Sequence, residues 1–253
     1  MKIQKKILQL GLISMGLIAC NSDDKKAPEF GNLNLSIANV VQDKELILNT
    51  ESYTNASGES YKVSELKYIL SDFVFVDKQG NEFEYPKADS YFLINEADTE
   101  TLSIDFSKVP VGEYTAVKFG FGVDQSKFPI EQGTLNFVPK AEEAQMLWAW
   151  AAGYKFIKFE GTYETSENAT ANDFKIHVGS HGANIDNYKA IILPLNSLVV
   201  TKDNIVSGGL KVDIAKVFDA VNKMSLSVKS DVQLDPENSP KYAANIQTMF
   251  SVK

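Results

Sequence analysis

The side chains able to do chemistry are few, and they sit in two short stretches. Met146 to Phe156 (MLWAWAAGYKF) holds both tryptophans of the chain, Trp148 and Trp150, with Met146 and Tyr154 on either side. Ordinary packing can account for such a cluster, because aromatics bury large areas and two residues at strand spacing share one face. Phe174 to Gly182 (FKIHVGSHG) holds both histidines, His177 and His181. If Phe174, Ile176 and Val178 form the apolar face of a strand, His177 points the opposite way. Gly179 and Gly182 would then open the strand into a loop that aims His181. A histidine aimed in this way could serve as a metal ligand. A hydrogen-bonded surface histidine is the plainer alternative.

The remaining composition narrows the chemistry by exclusion. All 25 cationic residues are lysines, and they face 33 carboxylates for a net charge of −8. A chain with no guanidinium fork and a negative charge is a poor partner for nucleic acid. Cys20 is the single cysteine, which rules out a disulfide within the chain, a cysteine zinc site and a Cys/His dyad. Asp23-Asp24 and Glu142-Glu143 lack calcium-loop spacing, and no phosphate-binding glycine loop, dinucleotide fingerprint or nucleophile elbow occurs. A non-enzymatic role is expected.

The first 19 residues read as a lipoprotein signal peptide. Lys2, Lys5 and Lys6 precede an apolar run from Ile7 to Ala19, which is shorter than the roughly 20 residues of a spanning helix. Leu17-Ile18-Ala19-Cys20 matches a lipobox, which implies cleavage before Cys20 and acylation of its thiol and new amine. Cleavage would leave 22 lysines against 33 carboxylates, a net −11. Residues 20–30, with the polar run NSDDKKAPE, then form a flexible tether. Outer-membrane attachment is expected, facing the periplasm or the surface.

The two stretches must be positioned by a mainly β body. Leu33, Leu35 and Ile37 alternate with polar residues; so do Leu102, Ile104 and Phe106, and most clearly Val117, Phe119, Phe121 and Val123. Lys78-Gln79-Gly80-Asn81 and Val109-Pro110-Val111-Gly112 punctuate strands as hairpin turns would. Gly120 and Gly122 fit close packing under a large neighbour better than phosphate binding. Further strands are expected at Lys155 to Phe159, Phe174 to Val178, Ala190 to Leu195 and Leu210 to Ile214. Ile214, Val217, Phe218 and Val221 have helical spacing, and a second short helix is expected around Ala243 to Phe250. Residues 31–253 therefore read as one antiparallel β-sandwich of the immunoglobulin-like or Greek-key type, with one or two short helices.

FGFGVD (119–124), MLWAWAAGYKFIKFEG (146–161), FKIHVGSHG (174–182) and the terminal MFSV (249–252) resemble the MbnP-like copper-binding lipoproteins. The resemblance spans most of residues 31–253. It implies an all-β extracytoplasmic protein in which one tryptophan is oxidised to kynurenine and binds copper together with histidine. It also implies a di-haem peroxidase-like enzyme as the partner that makes the modification. Trp148 matches the modified tryptophan, and His177 the downstream histidine. The sequence departs from the pattern at Trp150, where copper-binding relatives carry a histidine. His181 or Met146 could fill that place, and Trp150 is an alternative site of oxidation.

Indole has no usable lone pair for a metal, whereas the opened ring of kynurenine carries an aromatic amine. The expected function is thus lipid-anchored copper capture or delivery through His177 and an oxidised Trp148 or Trp150. The competing expectation is a glycan- or protein-binding module in which Trp148, Trp150 and Tyr154 form an exposed aromatic platform.

Overall fold

A computed structural model describes residues 28–124, 137–148, 153–181, 185–202 and 204–253. Cys20, the signal segment, most of the tether, Trp150 and Gly182 lie outside the described residues. In chain order the elements are β1 (Phe30–Val41), β2 (Lys44–Glu45), β3 (Tyr53–Thr54), β4 (Ser60–Asp77), β5 (Glu82–Glu84), β6 (Tyr91–Asn95), β7 (Ser103–Pro110) and β8 (Gly112–Phe121). There follow α1 (Phe137–Glu143), β9 (Lys155–Glu164), β10 (Asn172–Gly179), β11 (Lys189–Val200), β12 (Ile205–Asp213), β13 (Asp231–Gln233), α2 (Ser239–Ile246) and β14 (Phe250–Val252). The protein is all-β, with two sheets that do not close into a barrel.

The smaller sheet runs β14-β12-β1-β2, with β7 also on β1; the larger runs β11-β8-β4-β9-β10-β13, with β3, β5 and β6 also on β4. The expected alternation is present at Leu33 to Ile37, Ile104 to Phe106 and Val117 to Phe119, whereas Leu102 lies in a 3-10 turn before β7 and every residue from Phe119 to Val123 is buried. Leu33, Leu35 and Ile37 are buried, as are Val117, Phe119, Phe121 and Val123. Phe106 and Phe250 of the smaller sheet join the layers: Phe106 packs on Phe73 at 4.9 Å and Phe75 at 5.0 Å, and Phe250 on Phe119 at 5.3 Å. These are edge-on or tilted contacts, as ring quadrupoles favour. A second aromatic cluster of Tyr61, Phe159, Phe174 and Phe218 lies between β4, β9 and β10 and the 3-10 turn Ile214–Val217, with Tyr242 of α2 behind Phe218.

The glycines of FGFGVD are packing devices. A Cβ on Gly120 would lie 2.3 Å from the Tyr188 hydroxyl, and one on Gly122 would lie 2.3 Å from the Phe156 ring. Gly122 also has φ +93°, a conformation that L side chains rarely adopt.

Four expectations need correction. Pairing is not wholly antiparallel: β1 and β12 run parallel from Asn32↔Ile205 to Val40↔Asp213, and β10 and β13 are parallel as well. Val109 to Gly112 does not close a hairpin, because β7 pairs with β1 and β8 with β4 and β11. There the chain crosses between sheets, and the Val111 N–H donates to the Glu29 carbonyl. Ile214 opens a single 3-10 turn that ends at Val217, leaving Val221 exposed. The C-terminal helix starts earlier than expected, at Ser239, and Phe250 belongs to a strand that fills the edge of β12.

Glu59 pins a loop to the start of β4. Its buried carboxylate accepts from Asn55 Nδ2, Ser225 Oγ and the backbone N–H groups of Leu226 and Ser227, all at 2.7–2.8 Å. Burial by itself would raise its pKa, but these donors outweigh that and hold it down to about 2. A depressed carboxylate stabilises the fold above its unfolded value and loses that contribution as pH falls. Here the window runs from 4.5 to about 2, and the contribution is about 3 kcal/mol. Glu59→Gln is expected to lower the denaturation free energy by about 2–4 kcal/mol. Stability curves collected across that pH window should fall less steeply for the variant than for the parent chain.

Candidate metal site on the outer face of the larger sheet

Strand register builds the site. His177 lies opposite Lys158 of β9, which lies opposite Lys67 of β4; two pairs along, Lys175 faces Glu160, which faces Glu65. The intervening residues Ile176, Phe159 and Leu66 are fully buried and form the core face. His177 therefore points away from the core, as its spacing suggested, yet it is only 5% exposed. The hairpin that leads into β9 supplies its cover.

That hairpin brings Trp148 to His177. The Trp148 N–H donates to Gly153 O, the Lys155 N–H donates to Met146 O, and Leu147 bridges Tyr154. A β-bulge between Val178 and Gly179 inserts one extra residue into β9. Regular alternation would put Lys155 on the inward face of Ile157; the extra residue turns it to the side of His177. Its Nζ sits 5.3 Å from the Trp148 ring centre, within cation–π range. The Trp148 and His177 ring centres are 6.2 Å apart at 52°.

Among the described residues, two nitrogens in these neighbouring rings are buried without a hydrogen-bond partner: Trp148 Nε1 and His177 Nδ1. An unpaired buried polar atom costs about 1–3 kcal/mol, and each one in a native fold calls for an explanation. The other ring nitrogen, His177 Nε2, is 2.7 Å from Glu160 Oε1. Glu160 also lies 3.6 Å from Lys158 Nζ, and Lys158 forks onto both oxygens of Glu65 at 2.9 and 3.0 Å. Glu65 takes Lys67 at 2.6 Å. Burial opposes ionisation of Glu65, but the two lysines hold its pKa below the ordinary carboxylate value. Burial lowers the His177 pKa against the opposing Glu160 hydrogen bond, which favours the neutral imidazole. Burial likewise lowers Lys155.

The other sequence candidates are placed differently. Met146 is fully buried within the hydrophobic core cluster. His181 is half-buried; its backbone bridges Ile185, and among the described residues its ring makes no hydrogen bond or ring contact. Trp150 is outside the described residues. Tyr154 is fully buried and Trp148 is 7% exposed, so neither offers the open face that sugar stacking requires. The aromatic-platform expectation fails for these two rings because Tyr154 enters the core and Trp148 is packed against His177 and Lys155. No group of three His, Cys, Asp or Glu converges among the described residues.

Lys155, Lys158, Glu160 and Glu65 were not singled out from sequence. Their charges recur at strand spacing in KFIKFE, but only the register places them beside His177.

Comparison with known proteins gives the family. The MbnP family profile matches residues 30–239. The chain belongs to the MbnP family. The solved structure of MbnP from Methylosinus trichosporium superposes with a TM-score of 0.56 at 12% identity, covering 88% of this chain and 98% of that one. At that identity the likeness concerns the fold alone. No curated protein sequence matches the chain.

Gly153 tests how tightly the hairpin is held. Its φ is +151°, and an added Cβ would lie 2.1 Å from Ser180 O. Gly153→Ala is expected to cost about 1–3 kcal/mol and to loosen Trp148 from His177. Increased quenching of tryptophan fluorescence by acrylamide would report the loosening.

Proposed function

We propose that this MbnP-family chain is a lipid-anchored, extracytoplasmic copper-binding protein that captures or delivers the metal through His177 and an oxidised Trp148. The pair of unpartnered nitrogens in adjacent rings carries this reading. Addition of two oxygen atoms across the indole Cγ–Cδ1 bond, followed by hydrolytic loss of formate, leaves a ketone and an aryl amine. The amine nitrogen is the former Nε1. Oxidation would thus convert one of the two orphaned nitrogens from a donor without an acceptor into a metal ligand, beside an imidazole whose charged form burial disfavours.

The catalyst is a di-haem peroxidase-like partner and the oxidant is peroxide, two equivalents of which supply the two oxygen atoms and leave as two waters. Trp148, buried but close to the surface at 7% exposure, suits attack by an enzyme acting from outside. For a third donor His181 is better placed than Met146. A Cβ on Gly153 would lie 3.2 Å from His181 Cα, and Gly153 pairs with Trp148, whereas Met146 is enclosed in the core. Trp150, two residues beyond Trp148, is the alternative oxidation site.

The protein acts without catalysing a reaction, tethered to the outer membrane by acylated Cys20 through residues 20–30. Among the described residues no helix is long and apolar enough to cross a membrane, so in this reading the lipid carries the attachment.

Intact-mass analysis of the full chain, made with and without the haem enzyme, tests the reading together with copper stoichiometry. Co-expression should shift one tryptophan to the mass of kynurenine and yield one retained copper per chain. Trp148→Phe should remove both the shift and the copper, and His177→Ala the copper alone. Native material with two unmodified tryptophans and no copper would refute the mechanism.

A further inference from the structure

The geometry points to Glu160 as a positioning residue: it holds the proton of His177 on Nε2 and so makes Nδ1 the nitrogen that a ligand meets. The inference deepens the copper reading above, but its first half, the tautomer, stands on the apo protein alone.

The 2.7 Å contact between His177 Nε2 and Glu160 Oε1 admits one neutral tautomer. Were the proton on Nδ1, the Nε2 lone pair would face a carboxylate oxygen at hydrogen-bond distance, two acceptors with nothing between them. Nδ1 would meanwhile be a buried N–H without an acceptor, since it has no partner among the described residues. With the proton on Nε2, the first contact becomes a charge-assisted hydrogen bond. Nδ1 is then a buried, bare lone pair, the form in which imidazole binds a metal.

Glu160 is itself fixed. It is the diagonal cross-strand neighbour of His177, which faces Lys158 two residues away on β9. Lys158, 3.6 Å from Glu160, is anchored by its fork onto Glu65. The chain Glu65–Lys158–Glu160–His177 has the form of a carboxylate–imidazole support behind a ligand, an arrangement that orients the ring and raises its basicity. Its four members come from β4, β9 and β10, so the imidazole is held by sheet rather than by loop.

The chain has two histidines, so the ring nitrogens of the detergent-solubilised full chain, ¹⁵N-labelled at histidine, form a small NMR spectrum that His181→Gln assigns. The expected result for the unmodified, metal-free protein is His177 with Nε2 protonated and Nδ1 bare. Nδ1 protonated, or an even mixture of tautomers, would overturn the proposal. Glu160→Leu should give a mixture; Lys158→Met, which keeps the hydrogen bond, should retain the wild-type tautomer, and a failure of Glu160→Leu to change it would also count against the assignment. If the Leu variant does not fold, the wild-type spectrum decides alone. In the kynurenine form, added copper(I) should shift Nδ1 while Nε2 stays protonated, and Glu160→Leu should weaken copper about 10–100-fold. Loss of the Nε2 proton on metal addition would overturn the assignment of Nδ1 as ligand. No response at either nitrogen would sink the copper reading and leave the tautomer result standing.

Discussion

The antiparallel register between β9 and β10 sets nearly everything that is distinctive about the outer face of the larger sheet. It puts Lys158 opposite His177 and Glu160 on the diagonal. Through the bulge at its end it also turns Lys155 outward over the Trp148 ring. A slip of one residue would carry His177 toward the core and Ile176 and Val178 toward the charges, because side chains alternate with a period of two. Burial of Phe174, Ile176 and Val178 against the aromatic cluster of the inner face makes such a slip costly. The core therefore fixes the site on the opposite side of the same strands.

Charges would normally keep such a face wet, yet His177 and Lys158 are both at most 5% exposed. What makes this burial tolerable is pairing. Glu65 serves two lysines, and Glu160 serves a lysine and an imidazole. Ionic groups held in this way are costly to leave unpaired and of modest net value when paired. Their worth here is better sought in the orientation they impose on one ring than in stability. Among the buried polar atoms left without a partner in the described residues are Trp148 Nε1 and His177 Nδ1, the two nitrogens that the proposed chemistry would use.

The fold was legible in outline from short-range pattern. Period-two runs such as Leu33 to Ile37 and Val117 to Phe119 lie in strands with one buried face, and the Lys78 to Asn81 turn does join β4 to β5. Pairings that close over long stretches of chain were not legible. The parallel β1–β12 contact links residues more than 160 positions apart, and no local turn signal encodes it. The Val109 to Gly112 segment misled for a related reason: a proline-glycine turn breaks a strand, but it does not say whether the next strand stays in the same sheet.

At the candidate site the sequence by itself determined the scarce ingredients: two indoles, two imidazoles, a single cysteine beyond the body, and a strand that points His177 away from its apolar neighbours. Residue type and local period are properties of short segments, so they survive without knowledge of the fold. Tertiary structure alone decided that Trp148 folds back beside His177, that Tyr154 and Met146 go to the interior, and that Glu160 becomes the partner of the imidazole. Those outcomes follow from a hairpin, a bulge and a cross-strand register, and such contacts are selected by the burial of the whole core rather than by any segment of the chain.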